Sequence, residues 1–343
     1  MIILFVILLI LVLYKIKFNI KGEFYLDYCE QSNILSWKGI FVLLIFMAHI
    51  SEYKLTTYNT LDNLYFIIKQ NMGQLIVVYF LFFSGYGIMY SIVNKGPRYV
   101  DSILKNRFIK SLLHFDLIIL LYLIVQFFLG HRFKIEIILQ SLIGWDSLGN
   151  SNWYIFAILF LYLATYISFK AIKGLKYEYG LLINTFLILI YIVTIRYFKP
   201  SWWYDSVISY MFGMYFFFYK EKIEKIINNK YILFIIVSIL GFIFSRRIKT
   251  YMISFCLKEF FFIMFILLFS MKVRVKNKIL DYLGKNVFGY YILQRLPMII
   301  FSYLSLNQNS YYFFVIVCFV MTSLLVIIIN YCQSKIDLLC FKN

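Results

Sequence analysis

The residues best equipped for chemistry share one apolar stretch, Ser36-Trp37-Lys38-Gly39-Ile40-Phe41-Val42-Leu43-Leu44-Ile45-Phe46-Met47-Ala48-His49. Titratable groups within such a run are costly in lipid and usually face a protein interior or a water-filled cavity. Lys38 and His49 stand eleven positions apart. On a helix that is about three turns, so both fall on nearly one face, about 16 Å apart along the axis. A neutral imidazole at that depth can take a proton from an attacking hydroxyl. Glu52, three residues on, shares the face and could orient the ring. The same residues also fit a histidine meeting interfacial water at a helix end and a lysine whose ammonium reaches the headgroups.

The elements that must carry these groups follow from composition. Hydrophobic residues make up 63% of the 343 positions, mean hydropathy is +0.81, and only three prolines and fifteen glycines interrupt the chain. A soluble chain averages closer to half apolar. Apolar runs near the roughly 20 residues that a bilayer demands lie at 35–51, 73–93, 112–130, 153–169, 181–198, 203–219, 231–244, 254–271, 287–304 and 312–333. Ile2–Tyr14 adds another, with Lys15 after it and no basic segment before it, so it reads as an uncleaved membrane helix. The expected fold is all-α, a polytopic transmembrane bundle of ten or eleven helices. Residues 1–31 would be an N-terminal membrane helix and cytoplasmic linker, and 32–335 the main transmembrane domain.

The net charge of +18 belongs to loops rather than to a basic domain, which excludes nucleic acid as a partner. Segments 94–111, 170–180, 220–230 and 272–286 are net positive and alternate in register, so they are expected in the cytoplasm. Segments 51–71, 131–152 and 305–311 then face outward. Arg246, Arg247 and Lys249 fall on the outward side, against that scheme. The five cysteines are scattered, without metal-ligand spacing, so packing roles and no bound metal are expected. Lys258 and Glu259, adjacent within one run, read as a structural charge pair.

Five segments, in order, carry a resemblance. The Lys38-Gly39-Ile40 to His49 run resembles the first conserved helix of the acyltransferase 3 family of membrane O-acyltransferases. Phe82-Phe83-Ser84-Gly85-Tyr86-Gly87 is similar to the family's second helix. Lys105-Asn106-Arg107-Phe108-Ile109-Lys110 resembles its basic segment, and Asn152-Trp153-Tyr154 the opening of a later helix. Leu283-Gly284-Lys285-Asn286-Val287-Phe288-Gly289-Tyr290-Tyr291-Ile292-Leu293 resembles a segment near its end. Together they span residues 34 to about 300.

The resemblance implies a multi-pass enzyme of the cell membrane that moves an acyl group, most often acetyl, from acyl-CoA to a sugar hydroxyl of a surface glycan or its precursor. Acetyl-CoA is then the donor substrate, and the bilayer and a glycan acceptor are the partners. His49 would be the general base and Glu52 its orienting partner. Lys38, Arg107 and Lys110 would hold the donor, since cations bind phosphate through charge-assisted bonds. Trp153, Arg295 or Lys38 could stabilise an oxyanion. Lys38 replaces the family's arginine and loses its bidentate grip. Gln294 stands where the family often has histidine, so it takes no acid–base role. Ser84 and Gly85 are expected to serve helix packing. The alternative is a transporter or flippase of lipid-linked sugars, which should show two related halves with interrupted helices; no repeat is visible.

Overall fold

The computed structural model describes residues 2–19, 24–54, 60–172 and 176–341. Helix α1 (Ile2–Leu13) leads through a two-residue strand β1 (Lys17–Phe18) to α2 (Gln31–Ile50), which a 3-10 turn, Ser51–Tyr53, prolongs. Next come α3 (Thr60–Met72), α4 (Leu75–Lys95) and α5 (Pro97–Ile103). A π-helical turn, Leu104–Ile109, joins α5 to α6 (Lys110–Phe128). Helices α7 (Ile135–Leu142), α8 (Trp153–Ala171), α9 (Tyr177–Ile195) and α10 (Ile208–Phe218) precede α11 (Lys220–Asn229), α12 (Tyr231–Ser245) and α13 (Tyr251–Lys272). Strand β2 (Val273–Arg274) pairs antiparallel with β1. The chain closes with α14 (Lys278–Lys285), α15 (Val287–Leu293), α16 (Arg295–Tyr303), α17 (Leu306–Asn309) and α18 (Tyr311–Cys340).

Proline placement explains part of this order. Pro97 opens α5, where its missing N–H removes no intrahelical bond, and Pro200 precedes the short 3-10 turn Ser201–Trp203. Pro297 is the third residue of α16, so the 287–304 run restarts around it rather than continuing as one helix.

The all-α reading holds, and the span count is lower than the apolar runs suggested. Among the described residues seven helices are long and apolar enough to cross a membrane, and an eighth if α11 and α12, bent by 100°, are one span. The shortfall has local causes. The 203–219 run becomes helical only at Ile208. The 231–244 run gives fifteen helical residues after a sharp bend. The 287–304 run breaks between Leu293 and Arg295. Helix α1, at twelve residues, is about 18 Å long, shorter than the roughly 20 residues that a bilayer demands. On α9, Leu182, Phe186, Leu189 and Val193 are all exposed, as are Ile316, Val320, Leu324 and Ile327 on α18. At helical spacing these form apolar stripes suited to a lipid solvent.

Two close crossings organise the interior. A Cβ on Gly39 of α2 would sit 2.1 Å from the Leu280 carbonyl oxygen, and one on Gly284 of α14 would sit 1.9 Å from that of Leu35. The backbones of α2 and α14 therefore touch. Ser36 donates to Asp281 across the same contact, and the Asn277 side chain caps α14 by accepting from the Ile279 N–H at 2.9 Å. Helices α4 and α10 repeat the device, with a Gly85 Cβ 2.0 Å from the Tyr210 oxygen and a Gly213 Cβ 1.9 Å from that of Phe82.

Enlarging either glycine of the α2–α14 contact must separate the helices. Gly284→Leu is expected to cost at least the about 1–3 kcal/mol of an overpacked core, read as a lower thermal unfolding midpoint in detergent. Gly87→Ala, which has open space around it, should leave the midpoint unchanged.

Candidate active site

With its rotation set by Gly39, α2 presents Lys38 to a cavity of about 670 Å³ at the end of the bundle that carries the basic loops. Lys95, Arg107 and Lys220 line the same cavity, and Glu30 is the one carboxylate among its lining residues. Lys38 has neither an ion-pair nor a hydrogen-bond partner among the described residues, and Arg107 lies within electrostatic reach of it. Lys220 is paired with Glu224 at 3.6 Å, which leaves Lys38, Lys95 and Arg107 as an excess of positive charge suited to a polyanion.

Arg107 sits on the π-helical turn, a local irregularity frequent at functional sites. Its Nε donates to the Tyr99 hydroxyl at 3.3 Å. It also lines a second, polar depression of about 540 Å³ with Lys95, Arg98, Tyr99, Ser102 and Asn106. Lys95 and Arg107 belong to both, so the two hollows adjoin. Lys110 lies elsewhere. Its Nζ is 2.7 Å from a carboxylate oxygen of Asp337, whose other oxygen is 2.9 Å from Nε2 of His114. The structure thus brings Lys38 and Arg107 together and commits Lys110 to α18.

The expected packing role fits Gly85 and not Ser84. Ser84 lines the large cavity, with its hydroxyl 3.2 Å from that of Tyr162.

His49 stands at the opposite end of α2. Its Nδ1 is buried and has no hydrogen-bond partner. Arg295 and Lys69 are within electrostatic reach of the ring. Glu52 does not orient it. The carboxylate instead accepts from Arg295 at 3.0 Å, and Arg295 donates onward to the Ser151 hydroxyl at 3.1 Å. Lys69 donates to the Ala48 carbonyl at 2.9 Å and to the Ser51 hydroxyl at 2.7 Å. Burial holds the Lys69 ammonium below its ordinary pKa, Glu52 opposing and Arg295 reinforcing that shift. Trp153, half-buried, opens α8 two residues after Ser151. Gln294 is buried and donates to the Tyr291 carbonyl at 3.1 Å, a backbone-bracing contact.

Several of these residues escape sequence reasoning. Lys95 closes α4 and Arg98 lies in α5, in the segment 94–111 whose charge reads as topology alone, and Ser151 directly precedes the Asn152-Trp153 motif. Lys69, Tyr162 and Lys220 carry no local signal. Lys258 and Glu259 do not pair. Lys258 lies near Arg246, and Glu259 is fully buried facing Asp205 and Ser209 instead.

Purified protein should bind pyrophosphate in a salt-sensitive manner at the basic end. Arg107→Gln is expected to weaken this about tenfold or more, the worth of a charge-assisted hydrogen bond. Lys110→Gln should leave it unchanged. Calorimetric titration of both variants provides the check.

A family model described as an acyltransferase domain matches residues 31–331. No curated protein and no solved structure matched the chain.

Proposed function

The chain belongs to the acyltransferase 3 family and is an acyltransferase, and from that premise we propose a membrane-embedded O-acyltransferase, in the first instance an O-acetyltransferase, using acyl-CoA. The acceptor is a sugar hydroxyl of a cell-surface polysaccharide or its precursor, and the enzyme is a multi-pass protein of the cell membrane. The observation that carries this reading is the single helix α2, with an unpaired ammonium in a cationic cavity at one end and a buried imidazole beside Arg295 at the other. Family membership displaces the transporter alternative.

In this mechanism the donor's phosphates lie against Lys95, Arg98 and Arg107. The thioester arm enters the larger cavity past Lys38 and runs along α2 toward His49. The imidazole takes the proton of the sugar hydroxyl as its oxygen attacks the thioester carbonyl carbon. The tetrahedral oxyanion then collapses, the carbon–sulfur bond breaks, and the departing thiolate receives the proton from the imidazolium. Arg295, which acts electrostatically on the His49 ring, supplies a cation for the oxyanion. Glu52 and Ser151 fix that guanidinium in place, so Glu52 acts as a positioning residue. The Trp153 indole lies two residues beyond Ser151 and is a second candidate donor.

His49→Ala is expected to lower acyl transfer by about 10²–10⁴-fold, the usual contribution of a general base, with membrane insertion unaltered. Membranes containing the variant, supplied with labelled acetyl-CoA and candidate glycans, give the measurement; full activity would remove the mechanism. Lys38→Gln should raise the KM for acyl-CoA with a smaller effect on kcat. Initial rates over a range of donor concentrations separate the two, and an unchanged donor KM would count against Lys38 as a donor ligand.

A further inference from the structure

A second cavity, of about 380 Å³, lies under α11 and has no part in the proposed reaction. Only phenylalanine, isoleucine, leucine, methionine and tyrosine line it, drawn from α10 to α13 with Tyr28 and Phe82. Two of its tyrosines have their hydroxyls engaged. Tyr28 donates to Glu224 at 2.8 Å, and the Tyr215 hydroxyl is 3.2 Å from Thr185 Oγ1. Cavities of roughly 300–1,000 Å³ hold small molecules, and so apolar a lining takes hydrocarbon rather than water. The cavity reaches the outside, since two of its lining residues, Ile226 and Phe260, are 56% and 44% exposed.

The helix over this cavity is amphipathic and runs crosswise to α12, which leaves it at 100°. Ile223, Ile226 and Ile227 turn one face of α11 into the cavity wall, while Lys222 and Lys225 are exposed. Lys222 and Ile226 are four positions apart and so share a side of the helix. The Lys222 Nζ lies 5.7 Å from the centre of the Tyr219 ring, itself part of the lining. The ion pair of α11 joins Lys220 to Glu224 and leaves Lys222 outside it. An ammonium thus stands at the mouth of a cavity walled with hydrocarbon.

We propose that this cavity takes one acyl chain of an anionic phospholipid, from the leaflet that the basic loops face, with the headgroup phosphate against Lys222. Lysines at a membrane surface draw anionic lipid by charge, and the cavity beneath holds the chain by apolar burial. A lipid-linked acceptor is not the occupant. In the proposed reaction the acceptor meets His49 at the far end of α2, whereas Tyr28 lies three residues ahead of its near end. A partition divides the two cavities. Tyr28 bonds Glu224, Glu224 pairs with Lys220, and the Lys220 ammonium, 5.3 Å from the centre of the Tyr28 ring, lines the cationic side. A seated chain therefore braces the helix that carries Lys220, one wall of the proposed donor site.

The test uses full-length protein purified in detergent and given phosphatidylglycerol that carries a photoreactive diazirine in one acyl chain. Neither donor nor acceptor is present, so the result is independent of the proposed reaction. Labelled peptides should come from α10, α11 and α13. Unlabelled phosphatidylglycerol should compete about fivefold better than phosphatidylcholine, the worth of one lysine beside anionic lipid. Lys222→Gln should abolish that preference, and Met264→Trp, which fills the cavity, should remove the label from these helices. The unaltered protein and Lys222→Gln decide the matter even where the tryptophan variant does not fold. Labelling of the exposed stripes of α9 and α18 as strong as that of the cavity overturns the proposal, as does equal competition by phosphatidylcholine. Competition by polyprenyl phosphate and not by phosphatidylglycerol overturns it too, and gives the cavity to a lipid-linked acceptor.

Discussion

The contact between two glycines and two carbonyl oxygens sets the rotation of α2, and the rest of the site inherits that setting. At Gly39 and Gly284 the backbones of α2 and α14 meet where any side chain would overlap Leu280 or Leu35. Ser36 and Asp281 close the same seam with a hydrogen bond. A helix rotated by one position would swing every side chain by about 100°, moving Lys38 out of the cavity and His49 out of the interior. In the proposed reaction the chemistry therefore rests on a packing interaction whose residues take no part in it.

This accounts for which features were legible along the chain. The apolar run at 35–51 anticipated α2, and its spacing correctly placed Lys38 and His49 on a common helix. The motif residues Gly39 and Gly284 were readable as pattern, yet their mutual contact was not, because helix-to-helix pairing leaves no local trace. The same holds for Glu52. Its spacing from His49 suggested a partner three residues away, while its actual partner, Arg295, is 243 positions distant. The guanidinium offers a charge-assisted bond to the carboxylate that a neutral ring cannot match. Lys258 and Glu259 failed as a pair for a simpler reason. Neighbouring residues on a helix diverge by about 100° and do not face one another, so one reaches the periphery and the other the core.

The count of spans falls short of the apolar runs where hydropathy alone was asked to define a helix. The runs at 203–219 and 287–304 are apolar enough, but each contains a conformational break that hydropathy does not register. One holds the buried Asp205 ahead of α10, and the other restarts at Arg295 with Pro297 in the first turn. Both breaks coincide with polar groups, Asp205 fully buried and Arg295 part-exposed beside Glu52. The irregular backbone at each break delivers Arg295 to Ser151 and Glu52, and Asp205 to Tyr251.

The lysine at position 38 takes its meaning from Arg107. An arginine would bring a planar fork suited to bidentate phosphate binding, and a lysine brings a compact charge on a flexible stem. In this chain the fork is already present, carried by the π-helical turn that tips Arg107 toward the cavity and hydrogen-bonds it to Tyr99. Two guanidinium forks so near each other would compete for the same oxygens. In the proposed mechanism an ammonium, with three rotatable donors, follows a moving thioester arm while Arg107 holds the phosphates. On the proposed mechanism the substitution at 38 divides the work between a fixed anchor and a mobile charge, and so departs from the family pattern without loss of the donor site.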